Sequence, residues 1–319
     1  MKAFATYAAG RLASAALTLL GISLLIFVAM RSLEGNFEDI MTPQGPPQLR
    51  EQIRARFGFD QPLPVQYLKW VSAALQGDFG VSLVTQAPIW PQFAERLSVS
   101  AEIALLTTLL ALTLGLPLGL ASGLARGSAG KVASRLAGAL LMSVPDFVVA
   151  SVLIYVFSKY ALGLTIGRWV ELGSDPVGHL RAVVLPCLAL APLGTGLIMA
   201  TCRHAVLSIL AESHVAAAVA RGKSRGQIVR QHVLRNAAIP VVTVLAIYCG
   251  FLLGGTVLVE LIFSLPGFGR FLLQGVLNRD YPVVQAGVLI VAAFFVALNM
   301  AADLLYGWLD PRVAAGVRR

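Results

Sequence analysis

Charge is scarce in this chain: only 13% of its 319 residues are Asp, Glu, Lys or Arg, against 57% hydrophobic residues. A soluble fold of this length carries about a quarter of its residues as charge, so the composition excludes an ordinary soluble globular class. Cysteine is equally sparse. Cys187, Cys202 and Cys249 show no CxxC or Cys/His spacing, which argues against a disulfide framework or a zinc site and leaves them as buried thiols. No GxxxxGK[ST] phosphate loop occurs, so the chain is not expected to hydrolyse ATP itself. No nucleophile with a base, and no metal pair, stands out. The four histidines (His179, His204, His214, His232) are scattered.

What is present is apolar sequence in long runs, with a mean hydropathy of +0.77. Spanning about 30 Å of hydrocarbon takes about 20 apolar residues in a helix, because each backbone polar group must be satisfied internally. Six segments qualify: 12–30, 99–125, 136–157, 182–202, 237–259 and 283–306. The expected fold class is all-α integral membrane protein with six transmembrane helices. The first run follows Arg11 with 19 uncharged residues, and FVAMRSLEG offers no small-x-small cleavage site, so it is expected to remain as a span rather than to be removed as a signal peptide.

Basic residues set the orientation. With the N-terminus inside, fourteen fall on the cytoplasmic side and eleven on the other, and six of the eleven lie in or flank the 68-residue segment 31–98, which also carries seven acids. That segment is long enough to translocate regardless of its charge. Both termini are therefore expected in the cytoplasm. The net charge of +9 is attributed to topology and docking, not to nucleic acid. The division follows: 1–98 as a first span plus an external collar, and 99–319 as a five-helix core with a cytoplasmic loop at 203–236. Within the collar, a short helix should end at Phe57, Gly58 should break it, Pro62 and Pro64 should fix a turn, and an amphipathic helix should run from Val65 to Gln76 with Tyr67 and Trp70 at the membrane interface.

The cytoplasmic loop is the most informative stretch. Arg203, Arg221, Lys223, Arg225, Arg230 and Arg235 stand there against one acid, Glu212. Alanines at 216, 217, 218 and 220 favour a helix, Gly222 can close it in a left-handed cap, and 226–235 can form a second. Gly222, followed by His232 and the run HVLRNAAIP, resembles the EAA loop of ABC importer permeases, in the form found in the peptide and nickel branch. Further runs resemble that branch in order: FGFDQPLPVQYLKW in the collar, SVPDF at 143–147, GGTVLVE at 254–260, FSLPGFGR at 263–270, RDYPVVQ at 279–285 and DLLYGWLDPR at 303–312. Two positions depart from the family pattern. LEGNFEDIM occupies 33–41 where a PGDP turn is usual, and Ala216 replaces the acid of the EAA motif.

The resemblance implies a type I ABC importer permease fold. It also implies a role as one transmembrane subunit of a binding-protein-dependent importer, of di- or oligopeptides first, with nickel chelates, glutathione-like, opine and sugar-type solutes as alternatives. The implied partners are a second permease, two cytoplasmic ATPases that bind ATP and Mg, an external binding protein and the bilayer of the bacterial inner membrane. The chain itself would hold no cofactor and no metal, and would not be an enzyme. His214, Ala217, Ala218, Gly222, Lys223 and Arg225 are the candidate ATPase-coupling residues, and His232 is expected to cap or orient the loop. Pro145 and Asp146 are pore candidates: the proline bends a pore helix, and a carboxylate beside it could meet a cationic solute.

Acids inside spans each cost about 2.5–3.5 kcal/mol at a helix centre, so each needs a partner or a wet cavity. Asp303 is expected to pair or cap near the inner end of the last span, and Glu102 to snorkel to the outer headgroups. Gly115, Gly119 and Gly123, with Pro117, should allow a kink and a close helix contact in the second span. Pro266 to Gly269 should form a tight outer turn, and Pro282 should open the last span. A secondary transporter with Asp146 and Glu102 as ion sites is the rival class, but no internal repeat supports it.

Overall fold

A computed structural model describes residues 2–32, 51, 60–125, 127–160, 163–164 and 167–309, without the side chains of 2–5, 235, 302 and 305–309. The altered run 33–41, the helix to Phe57, Arg126 and residues 310–312 lie outside the described set. Among the described residues, five helices are long and apolar enough to cross a membrane, or six if one bent pair counts as a single span.

The centre of the molecule is a crossing of two long helices, α3 (Ile89–Leu124) and α6 (Pro176–Leu210), the most extensive helix pair among the described residues. Gly115, Gly119 and Gly123 make the contact possible, each lying against α6 with no room for a side chain. A Cβ on Gly119 would stand 2.6 Å from the Cys202 Cβ and 2.9 Å from the Met199 carbonyl oxygen. Without a hydrophobic drive between helices in lipid, close packing of small residues holds them together. Around this seam Leu185, Ile198, Cys202, Val206 and Ile209 are buried. The boundary expected at residue 98 falls inside α3, which Pro88 starts at Ile89. Its first turns are retained because Ile89 and Phe93 are fully buried against Phe268 and Val283.

The third expected span is broken, not kinked. Proline disfavours the helical region for the residue before it, and Val144 is extended at φ −88°, ψ 120°. Helix α4 (Ser128–Ser143) therefore stops, and α5 (Asp146–Lys159) restarts from Pro145 at 87° to it.

The collar helix α2 (Leu63–Leu75) starts two residues earlier than expected, with Pro62 as its N-cap and Pro64 in its first turn, where a missing N–H is harmless. Tyr67 and Trp70 do not stand free at the interface: both rings pack on Phe27 of α1 (Lys2–Ser32), at 5.4 and 6.3 Å between centroids, and the Tyr67 hydroxyl meets Ser23 Oγ at 2.8 Å. At the other end of α1, Arg11 pairs with Asp303 of α12 (Tyr281–Leu309) at 3.0 Å, and the Tyr7 hydroxyl donates to the Asp303 carbonyl. Asp303 thus has the pairing role expected of it. The contact joins the N-terminal turns of α1 to the C-terminal turns of α12, so these turns lie on the same side of the membrane.

Glu102 does not reach for headgroups. Its carboxylate lies 2.7 Å from Nε2 of the buried His179, whose Nδ1 contacts the Val170 carbonyl at 2.7 Å while Trp169 packs edge-on. Since a carbonyl only accepts, Nδ1 carries a proton there, and the imidazole ties the 167–175 connection to α3. Pro282 lies in the first turn of α12 as expected, but the tight turn expected at Pro266–Gly269 sits earlier, at Phe263–Ser264, where Ser264 has φ +54° and Leu265 N donates to the Glu260 carbonyl at 2.8 Å.

Candidate functional site

Leu210 ends α6 on the side where α3 also ends, and the basic loop folds there as two helices joined by a tightly specified corner. Helix α7 (Ser213–Ala220) is closed by paired bonds, from Lys223 N to the Ala218 carbonyl at 3.2 Å and from Gly222 N to the Val219 carbonyl at 2.9 Å. This is a Schellman cap, and it needs the φ of +80° that Gly222 supplies. Two residues on, Ser224 and Gln227 form a reciprocal capping box that opens α8 (Arg225–Ile228); the two motifs together fix the corner.

The second helix departs from expectation. It does not end near Arg235 as a separate surface helix: a π-helical turn, Val229–Val233, carries it without a break into the span α9 (Leu234–Gly255). The end of the loop and α9 are therefore one continuous helical rod. His232 lies in that π turn, its ring 5.3 Å from His214 of α7, which in turn contacts Glu212 at 2.9 Å. This placement suits an orienting role for His232.

The structure divides the six coupling candidates. His214, Ala217 and Gly222 are exposed. Ala218 is fully buried, together with Val215, because α7 turns this face onto the bundle; its side chain is not available to a partner. Lys223 donates to Gln231 at 2.7 Å, and the Arg225 guanidinium donates to the Leu124 carbonyl at the C-terminus of α3, where a cation meets the negative end of the helix dipole. Arg225 thus holds the loop to α3, while Lys223 braces its corner against the π turn. Sequence reasoning missed Val219, 57% exposed on the outer face of α7, an apolar side chain among alanines in a charged loop.

Pro145 and Asp146 stand at the break between α4 and α5 and line a cavity of about 200 Å³ with Leu190, Pro192, Tyr248 and Phe251. Asp146 Oδ1 accepts from Phe147 N at 2.7 Å. The Tyr248 hydroxyl donates to the Leu190 carbonyl at 2.9 Å, two residues before Pro192, which lies inside α6. The coupling candidates and the cavity residues thus lie at two separate places, the loop end and the helix break, and α9 runs from the first to the second.

Two buried carboxylates escaped the sequence reading. Glu260, in α10 (Val257–Ile262), accepts from Ser100 Oγ at 2.6 Å, Thr256 Oγ1 at 2.9 Å and Arg270 N at 2.7 Å, while Ser100 Oγ accepts from Phe268 N at 2.8 Å. The network pins the hairpin of α10 and α11 (Phe268–Leu277) to α3. Asp280 accepts from Ser82 Oγ at 2.5 Å and from Leu83 N at 3.1 Å, closing the segment before α3 onto the start of α12. Both sit inside matched motifs, VLVE and RDYP, which was the available signal.

Residues 115–315 match the family model described as binding-protein-dependent transport system inner membrane component. The chain is 30% identical to a probable peptide ABC transporter permease protein of Sinorhizobium fredii, over 96% of this chain and 98% of that one. It is 32% identical to the glutathione transport system permease protein GsiC of Escherichia coli, over 93% and 94%. Among solved structures, one titled crystal structure of an amino acid ABC transporter with histidines superposes at a TM-score of 0.50 and 16% identity, covering 70% of this chain and 94% of that one; at that identity the likeness concerns the fold.

Proposed function

The chain belongs to the family of binding-protein-dependent transport system inner membrane components, and on that premise we propose that it conducts di- and oligopeptides across the bacterial inner membrane in concert with a second permease, two ATPases and an external binding protein. It is a permease component of an ABC importer. The finer reading rests on the helix–corner–helix of residues 213–233, whose exposed face has the shape and position of a docking element at the end of the α3–α6 seam.

In this reading the loop faces the cytoplasm, as do both termini, and ATP and Mg are bound by the partner ATPases. Closure of the ATPases draws α7 inward, and the continuous helix through the π turn into α9 carries the displacement to Tyr248 and the cavity. His214, Ala217, Gly222 and Val219 supply the contact. Arg225 ties the loop to α3 and Lys223 ties its corner to the π turn, so force is not lost in bending. Pro145 and Asp146 lie on the solute path.

The test places a photo-crosslinker at Val219 in native membranes. A P-loop ATPase should be captured, and a crosslinker at the buried Ala218 should capture far less. Absence of an ATPase product at Val219, with ATPase expression confirmed, would refute the docking assignment. Peptide as solute follows the Sinorhizobium relative, and the Escherichia coli relative favours glutathione as a second reading. Uptake of tri-alanine and of glutathione by the reconstituted importer decides between them.

A further inference from the structure

The cavity at the helix break has one feature that conduction alone does not require. Its polar side chains are bonded internally except at one atom. Ser143 Oγ donates to the Ala139 carbonyl at 2.6 Å, Tyr248 donates to Leu190, and Asp146 Oδ1 takes the Phe147 N–H at 2.7 Å. No described residue bonds the second carboxylate oxygen of Asp146.

Depth makes this notable. Leu190 lies about 21 Å along α6 from its outer start and about 30 Å from its inner end, by the rise of 1.5 Å per residue, which places the cavity near the middle of the bilayer. Ionisable groups at that depth face a partner or a water-filled path. The rest of the lining is apolar, the rings of Tyr248 and Phe251 and the side chains of Met142, Val144 and Leu193 among it, and no lining residue carries a positive charge. An apolar chamber with aromatic walls and one carboxylate suits a cation: the carboxylate supplies charge and the rings add attraction for an ammonium. No positive side chain lines the chamber to welcome an anion.

We propose that this chamber is a cation-selecting waypoint, in which Asp146 receives the ammonium group of a solute in transit and so favours cationic over neutral solutes after release from the binding protein. The proposal rests on the permease reading and adds a charge preference to the path. The competing role for Asp146 is purely local, as the acceptor for Phe147 N at the start of α5. Asp146→Asn separates the two, because an amide oxygen keeps that hydrogen bond and removes the charge.

Two measurements on the assembled importer test it. In a chain whose three native cysteines are replaced by alanine, Val144→Cys is reacted with a cationic and an anionic methanethiosulfonate. One charge within about 6 Å at an effective dielectric of about 40 changes each rate about tenfold and in opposite directions, so the ratio of the two rates should fall about a hundredfold on adding Asp146→Asn. An unchanged ratio would overturn the proposal, since the carboxylate would then not face the chamber as a charge. The second measurement is uptake of tri-lysine and of tri-alanine with the same binding protein. Asp146→Asn should lower tri-lysine uptake several-fold relative to tri-alanine, with ATP turnover retained, and Asp146→Glu should restore it. Equal loss of both peptides would overturn selection in favour of a structural role. If the unsubstituted importer carries neither peptide, the peptide assignment fails, and the modification ratio alone then decides for or against the chamber.

Discussion

Replacing Gly119 by alanine adds one methyl group at the tightest point of the α3–α6 seam. The new Cβ would lie 2.6 Å from the Cys202 Cβ, 2.9 Å from the Met199 carbonyl oxygen and 3.1 Å from the Cys202 sulfur. Carbon atoms rest at about 3.5–4.0 Å, so the helices must part by about 1 Å, and one of the three obstacles is backbone that cannot rotate away. An opening of that size forfeits a quarter to a half of each contact along the seam, and overpacking of this kind costs about 1–3 kcal/mol. The gain in helix propensity from glycine to alanine is about 1 kcal/mol and offsets only part of it. Gly138 provides the comparison: it lies inside α4, and a Cβ there meets nothing within 4 Å. Thermal unfolding of the purified importer should therefore show Gly119→Ala melting several degrees lower, at about 2–4 °C per kcal/mol for a chain of this order of size. Gly138→Ala should be unchanged or slightly raised, and Gly119→Leu should prevent recovery of assembled protein. Equal melting temperatures for Gly119→Ala and Gly138→Ala would refute the claim that the seam is closed by absent side chains.

Gly222→Ala introduces no clash but forces a left-handed residue at about 1–2 kcal/mol; solute moved per ATP hydrolysed should fall, while Gly226→Ala, in open space within α8, should leave it unchanged. Glu260→Gln points an amide where Ser100, Thr256 and Arg270 N all donate; the unmet donors cost on the order of 3 kcal/mol, and the yield of monodisperse protein should drop sharply. Arg11→Ala breaks a pair whose arginine is 44% exposed, so less than about 1 kcal/mol is lost and the melting temperature should shift by no more than about 4 °C.

Much of this architecture is written in local patterns. Spans are legible because lipid demands about 20 apolar residues per crossing, the cap at Gly222 because only a left-handed corner fits between an alanine helix and a capping box, and the pairing of Asp303 because an acid in a span must find a partner. The break at Val144 was half legible: Pro145 announced a bend, but whether a proline bends or ends a helix depends on the packing beyond it. Glu102 and His179 are 77 positions apart, and no periodicity connects them. The same holds for Ser100 with Glu260 and for Ser82 with Asp280, where the partners meet only after several spans have packed. The exposure of α7 was misjudged at Ala218 for a related reason: an alanine run has no hydrophobic stripe to reveal which face turns inward.

By itself, then, the sequence determined that this chain is helical, crosses a membrane and carries a basic helix–corner–helix loop, because composition, span length and turn chemistry act within a few residues. Only the tertiary structure decided which alanines face out, which cations are already engaged and where an unpartnered carboxylate meets a cavity, because those outcomes depend on surfaces brought together from distant parts of the chain.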